Sequence, residues 1–415
     1  MTSALQKRAR FATADFNIVS AEFHANPVPT LDAMRAEGPL VPMKLPIFGR
    51  TLLAVSHDAC SELLKDHESF ARDPLNAGIK TQQRILKILP RTIGLLASNM
   101  LGHDDPEHRR LRGLVDQAFQ RQAVQASRPM IEHVADRLLD RLKSKREVDL
   151  LAEFCRDLPL SVICELLGLP RADHDKFKNW LGGLKDTANV GAVIRAIPGV
   201  IRVVRYLRRV SRPGGGALPG GLIVALGDSI SDGEALSDDE LVSMIFLLFG
   251  AGQETTTHLL AGGIAALLSY PRQRELLQDD PNLTSLCVEE CLRWVSPVQM
   301  TKPRFARRDL FWQGFRLRKG DMLAGFLAAA NFDPAKFEDA HRFDITRLPN
   351  PHLSFGTGVH FCLGFQLARL EAAVAIERLI ACFPDMHLAV PAGKLRWHKR
   401  LGIRALSALP VRLQA

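Results

Sequence analysis

The stretch that most constrains the fold runs from Ser237 to Ser269. Ser237-Asp238-Asp239-Glu240 reads as a capping box, in which the serine hydroxyl and the glutamate carboxylate each take a free backbone amide and so start a helix. Helical spacing then continues until Tyr270-Pro271 stops it. At ~1.5 Å per residue, about 30 residues span roughly 45–50 Å, enough to cross a whole domain. Met244, Ile245, Phe246, Leu247, Leu248 and Phe249 precede the middle, and Leu259, Leu260, Ile264, Leu267 and Leu268 follow it. A helix apolar nearly all round must be buried, so the rest of the chain packs around it. Its centre, Gly250-Ala251-Gly252-Gln253-Glu254-Thr255-Thr256-Thr257-His258, breaks the pattern. A glycine costs about 1 kcal/mol of helix stability, and an ionised buried glutamate costs more unless paired. Such a centre marks either a functional site or an irregular bend held by threonine hydrogen bonds.

A second stretch, Phe355-Gly356-Thr357-Gly358-Val359-His360-Phe361-Cys362-Leu363-Gly364, precedes a segment from Phe365 to Leu379 with helical periodicity. Cys362 therefore sits in a glycine-rich loop at a helix start, where free amides and the helix dipole favour a thiolate. The glycines permit positive φ or close backbone approach. The loop alone leaves three readings open: a buried cysteine in a turn, a catalytic thiol with His360 as base, or a thiolate ligand to heme iron.

Composition narrows the class. The 415 residues are 47% apolar and 24% charged, which is ordinary for a globular chain. Lys and Arg outnumber Asp and Glu by 54 to 45, a net charge of +9, which suits acidic partners or simple solubility. No tight Lys/Arg run with interleaved aromatics occurs, which argues against nucleic acid. Seven scattered cysteines without a CxxC pair argue for a reducing compartment and against a disulfide framework or structural zinc. The N-terminus lacks the apolar core of a secretory signal, and no run of about 18 apolar residues occurs. The expectation is a cytoplasmic protein with no transmembrane segment.

Along the chain, residues 11–50 carry proline and loop signals, Leu52 to Val55 reads as a strand, and His57 to Asp66 as a helix. Residues 74–101 mix Ile and Leu with Lys and Arg, either as an amphipathic surface helix plus loop or as an apolar wall over a cavity. Asp105-Pro106 reads as a helix start with Asp at the N-cap, which puts His108 and Arg112 on one face. Gly168-Leu169-Pro170 is a stop signal. Residues 173–212 read as two helices, the second with Arg202, Arg205, Arg208, Arg209 and Arg212 opposite Val203, Val204, Leu207 and Val210. Pro213 to Gly221 is a flexible break. Glu290 and Arg293 lie one turn apart on a helix ending before Pro297 and can pair. After Pro297 the texture changes to short strands and hairpins from Arg304 to Leu323, coil over residues 331–352, and alternation again from Met386 to Val411.

Taken together these residues resemble the cytochrome P450 family of heme-thiolate monooxygenases. Phe355-Gly356-x-Gly358-x-His360-x-Cys362-x-Gly364 fits the family's heme-binding loop at every position. Ala251-Gly252-x-Glu254-Thr255-Thr256 fits its oxygen-activation segment, and Glu290-x-x-Arg293 its ExxR pair, in the family's order and spacing. Smaller agreements are Asp105-Pro106-Glu107-His108-x-x-x-Arg112, Arg304-x-Ala306, Asn331-x-Asp333-Pro334 and Arg342-Phe343. Phe332 and Ala340 depart from the usual Arg and Pro, away from the chemistry. The resemblance covers nearly the whole chain.

That resemblance implies a mainly α fold with a smaller β-rich part (α+β) in a single domain. The β-rich lobe would lie mainly in residues 25–60 and 297–330 plus 386–411, and the helical lobe mainly in 61–296 and 362–382. It implies heme b (iron protoporphyrin IX) with Cys362 as the axial thiolate and O2 as co-substrate. His108, Arg112, Arg304 and His360 match propionate-binding positions, and Ala251, Phe355, Gly356 and Gly364 line the cofactor. Glu254 and Thr255 would relay protons to dioxygen beside a relaxed stretch of the central helix. Glu290 and Arg293 would lock the core behind the cysteine loop. The substrate would be a hydrophobic small molecule (terpenoid, fatty or aromatic) in a pocket of residues 85–96, Leu247, Gly250, Val298, Met300 and Ile403, with Gln299 as a polar contact. Electrons would come from a separate acidic ferredoxin or flavodoxin with its reductase, drawn to a basic surface that includes Arg109 and Arg110. Rival readings are a heme-binding sensor or carrier, a peroxide-driven peroxygenase and a cysteine hydrolase.

Overall fold

The computed structural model describes residues 14–414 apart from 47, 80–98, 175, 177–179, 181–189, 213 and 229–235. The proposed apolar wall at residues 85–96 and much of the first helix expected after residue 173 lie outside the described residues.

The N-terminal stretch is more regular than its prolines suggest. It forms α1 (Ala21–Ala25), α2 (Val28–Ala36), β1 (Leu40–Leu45), β2 (Gly49–Ala54) and α3 (His57–Lys65). The proline and loop signals of residues 11–50 mark the starts of elements rather than breaks in them. Pro27 is the N-cap of α2, with Pro29 inside its first turn. Pro42 lies in β1, an edge strand where a missing N–H is tolerated.

After β3 (Phe70–Ala71) come α4 (Glu107–Asp116), α5 (Arg128–Asp140), β4 (Glu147–Asp149), α6 (Asp157–Leu167), α7 (Val190–Val210), α8 (Asp238–Ser269) and α9 (Thr284–Val295). The strands β5 (Arg304–Ala306), β6 (Leu310–Trp312), β7 (Phe315–Leu317) and β8 (Met322–Gly325) follow, then α10 (Phe365–Cys382), β9 (His387–Leu388) and β10 (Pro410–Arg412). One sheet has the order β1-β2-β8-β5-β3. Its β2 runs parallel to β8, with Leu53 opposite Ala324, so the N-terminal strands are tied to the segment after Pro297. A second sheet is β4-β10-β9, and β6-β7 is a hairpin.

The central helix, α8, forms as the sequence dictates. Ser237 N donates to Glu240 Oε2 at 2.7 Å and Glu240 N to Ser237 Oγ at 3.3 Å, which completes the capping box. The helix runs for 32 residues, through Gly250 and Gly252 as well, and Thr255 and Thr257 donate back to the carbonyls of Ala251 and Gln253. It packs against α6, α7, α9 and α10. Leu260, Ile264 and Leu267 are buried to within 3%, each contributing about 1.5–3 kcal/mol. Gly262 and Gly263 bring α9 close: a Cβ on Gly262 would stand 2.6 Å from a Val295 methyl, and one on Gly263 3.0 Å from Cys291 Sγ.

On α7 Arg202, Arg205, Arg208 and Arg209 face outward and Val203, Val204, Leu207 and Val210 are buried, as the pattern requires; Arg212 lies just past the helix end. The start of α4 differs from expectation. It begins at Glu107, because the Asp105 carboxylate bonds the side chains of Arg109 and His108 instead of capping the backbone. Gly168 ends α6 in the left-handed conformation at φ +77°. Among the described residues no helix is long and apolar enough to cross a membrane.

Glu290 and Arg293 on α9 are fully buried and joined by two hydrogen bonds of 2.7 and 2.8 Å. Arg293 also donates to the carbonyls of Asn331, Ala340 and Arg342. Glu290 accepts from Arg347, Asn350 and the Asp344 amide. The pair thus pins the coil of residues 331–350 onto α9. We predict that Glu290→Ala destabilises the fold by about 3–5 kcal/mol, because it leaves a buried arginine unpaired. The midpoint of urea unfolding measures this, and an unchanged midpoint would remove the pair from this structural role.

Candidate active site

The cysteine loop is folded by its own backbone. Cys362 N donates to Phe355 O at 2.9 Å, Phe361 N to Gly358 O at 3.0 Å and Gly356 N to Leu353 O at 2.8 Å. Gly356 and Gly358 take φ of +67° and +73°. A Cβ on Gly358 would stand 2.3 Å from Leu64 O at the end of α3, so only glycine lets the loop seat there. Gly364 differs: its φ is −83° and a Cβ would meet no protein atom within 4 Å. The space it leaves is not filled by protein.

Phe355 stands beside the cysteine loop with the Arg369 guanidinium 4.6 Å from its ring centre. Glu289 holds Arg369 at 2.6 and 2.8 Å. Burial works against the Glu289 charge, but Arg369 and His352 hold its carboxyl down at about 2. For Cys362 burial wins and pushes the thiol up, although the Gly364 amide and the charges of Arg112 and Arg369 pull the other way. The helix start alone therefore does not secure a thiolate; a cation bonded to sulfur would.

Above the loop lies a cavity of about 550 Å³. It gathers residues far apart in sequence. Leu247, Gly250, Ala251, Glu254 and Thr255 reach it from α8, and Val298, Met300 and Ile403 form an apolar wall. His108, Arg112, Arg304, Phe355, Gly356, His360, Cys362 and Gly364 complete the expected set. Gln299 does not line it. Its N–H donates to Gly402 O and its carbonyl accepts from Ala328, which turns the side chain toward His24. Glu290 and Arg293 lie outside the cavity, as a structural pair should.

One side of the cavity is basic and incompletely satisfied. The rings of His108 and His360 lie 4.2 Å apart. Burial, reinforced by Arg304 and other nearby cations, pushes the His360 imidazole down to about 2, so it is neutral. Neither of its ring nitrogens has a partner, so His360 is not placed as a base for the thiol. Burial also lowers the pKa of His108, against the pull of Asp105. Arg304 is 2% exposed, its Nη1 is unpartnered and its Nη2 reaches Leu64 O only at 3.5 Å. Arg112 donates to the carbonyls of Val359 and Phe361 at 3.2 and 2.6 Å, bracing the cysteine loop. Buried donors without acceptors are rare in folded proteins. These residues fit a flat group with carboxylates at one edge and a metal over sulfur, which is the shape of heme.

On the opposite side Thr255 Oγ1 donates to Ala251 O at 2.7 Å, leaving its lone pairs to accept. Glu254 accepts from Arg400 Nη1 at 2.5 Å. Sequence reasoning missed Arg400, because nothing local links residues 146 positions apart. It also missed Arg72, Lys302 and Glu371, all of which line the cavity. The position of Lys302, two residues before Arg304 on the same wall, was the available signal for that one. Of the two arginines assigned to a basic surface, Arg110 is held between Glu107 and Glu240 and is not free. Arg109 is largely exposed, with Asp105 at 2.9 Å.

Comparison with known proteins agrees with this geometry. A family model described as Cytochrome P450 matches residues 222–384. The chain is 37% identical over 400 residues to the polyketide biosynthesis cytochrome P450 PksS of Bacillus subtilis, covering 94% of this chain and 97% of that one. It is 36% identical over 404 residues to the cytochrome P450 monooxygenase PikC of Streptomyces venezuelae, covering 96% and 94%. Among solved structures it is similar to the myxobacterial cytochrome P450 CYP267B1 in complex with myristic acid, with a TM-score of 0.89, 37% identity, and coverage of 96% of this chain and 99% of that one. With relatives of this identity matched over almost their full length, and with the cysteine loop, the central helix and the buried ion pair in place, the chain belongs to the cytochrome P450 monooxygenase family.

Proposed function

We propose that the protein inserts one oxygen atom from O2 into a hydrophobic small molecule, using heme b bound through Cys362. The observation that carries this reading is the meeting in one cavity of Cys362, the unpartnered nitrogens of Arg304 and His360, and Thr255 with its acceptor side open. Heme bound there would supply the dioxygen-activating chemistry, with thiolate donation favouring O–O cleavage.

The chain's own residues divide the remaining tasks. Cys362 would hold the iron through sulfur, and the Gly364 amide would temper its charge. Arg304, His360, Arg112 and His108 would take the propionates, which supply acceptors to the donors left unpaired. Phe355, covered by Arg369, keeps water from the sulfur side. Ala251, exposed to the cavity on α8, and Gly364, whose missing side chain meets no protein atom, leave both faces open. Thr255 Oγ1 accepts a proton donor in the cavity while its own hydrogen stays on Ala251 O. Glu254, reaching from the cavity to Arg400, would bring protons inward.

The apolar wall of Leu247, Val298, Met300 and Ile403 supports a hydrophobic substrate, as does the myristic acid bound by CYP267B1. Electron delivery is assigned to a separate acidic ferredoxin or flavodoxin system, supported by the +9 net charge and the exposed Arg109. All seven cysteines are free thiols, which supports a cytoplasmic location.

Thr255→Ala should retain heme and substrate affinity but divert electrons to hydrogen peroxide, with product formation falling by about 10²-fold. Product and peroxide formed per reduced pyridine nucleotide measure this, and unchanged coupling would remove Thr255 from the relay. Turnover with an acidic ferredoxin should fall as salt rises, because the Debye length shrinks from about 30 Å at 0.01 M to about 8 Å at 0.15 M. Rates independent of ionic strength would contradict an acidic donor.

A further inference from the structure

The cavity contains a cation that no described residue neutralises. Lys302 lines it and is exposed toward it. Burial among the surrounding residues pulls its ammonium down to about 8, and the charge of Arg72 pulls the same way, with no acid opposing. Lys302 has neither a hydrogen bond nor an ion pair with any described residue.

The charges around the cavity leave Lys302 as the one without an assignment. Arg72, Arg112, Lys302 and Arg304 are the lining residues with permanent or near-permanent charge at neutral pH. Glu254 and Glu371 are the lining acids. Glu254 is already paired with Arg400. Glu371 has an unpartnered Oε2 and is pushed up to about 8 by burial, so it is mainly neutral. Two propionates would meet Arg304 and Arg112, the latter already approached by Asp116 Oδ1 at 3.4 Å. Arg72 is committed to the carbonyls of Leu101 and Pro303, both at 2.7 Å, and its backbone amide lies on Asp104.

Position adds to charge. Val298, Met300 and Lys302 follow one another along the same wall, and Val298 bridges to Ile403. An apolar strip thus ends in a single ammonium. We propose that Lys302 anchors the carboxylate of an otherwise apolar substrate whose chain lies along Val298 and Met300. This rests on the monooxygenase reading and narrows its substrate to lipophilic acids.

The test uses the heme-loaded protein with dodecanoate and hexadecanoate against their neutral primary amides. Calorimetry and the ferric spin-state shift both read binding, and heme content is measured separately as the pyridine hemochromogen. The wild type should bind the acids at least about tenfold more tightly than the amides, equivalent to about 1.4 kcal/mol. Lys302→Gln should bring that ratio to about one, and Lys302→Arg should keep it, as expected for a charge-assisted contact. Both variants should hold heme as the wild type does. The proposal is overturned if neither acid binds, if acids and amides bind alike in the wild type, or if Lys302→Gln leaves the ratio unchanged. Loss of heme in Lys302→Gln with the ratio intact would make Lys302 a propionate partner instead. Wild-type protein that holds no heme would defeat the monooxygenase reading, whereas calorimetry would still report whether the cavity prefers the acid.

Discussion

Buried positive charge that the protein itself does not neutralise is the constraint on which this structure turns. Two arginines show the contrast. Arg293 is fully buried and donates to Glu290 and to three backbone carbonyls. Arg304 is almost as buried, yet one of its nitrogens has no partner and another has only a long contact. Removing a charge from water costs several kcal/mol unless a partner repays it. His360 adds two buried nitrogens without partners a few residues from Cys362. A fold that satisfies Arg293 so fully and leaves Arg304 and His360 open has donors that an acidic ligand would satisfy, and heme would bring its acids at one edge.

The scaffold is closely packed around the cysteine loop. Gly358 brings the loop against the end of α3, and Gly262 and Gly263 let α9 press on α8. The ion pair on α9 then fixes the coil that leads into the loop. The sulfur, the basic edge and Thr255 on α8 therefore sit on rigid elements, which is what a preorganised site needs.

Short-range patterns carried most of what could be read in advance. The capping box at Ser237, the cysteine loop, the stop at Gly168 and the two-sided α7 are local in sequence, and each appears in the structure. Local patterns failed where tertiary contacts decide. Pro27 and Pro29 looked like loop signals but open a helix. The glycines of α8 suggested a relaxed backbone, yet the helix continues through them, although Gly250 and Ala251 face the cavity. Asp105 has the chemistry of a cap but is drawn off by Arg109 and His108. Gln299 was placed in the pocket by its neighbours Val298 and Met300, whereas its backbone bonds turn it away. Arg400 could not be found at all, because its pairing with Glu254 exists only once the C-terminal segment folds back over α8.

The central claim is that Cys362 carries a heme iron through a thiolate. The absorption spectrum of the reduced, carbon monoxide-bound protein tests it most directly. We expect a thiolate-shifted Soret band in the wild type that is lost in Cys362→Ser. A Soret band at the position given by a histidine ligand, or no heme spectrum at all, would contradict it.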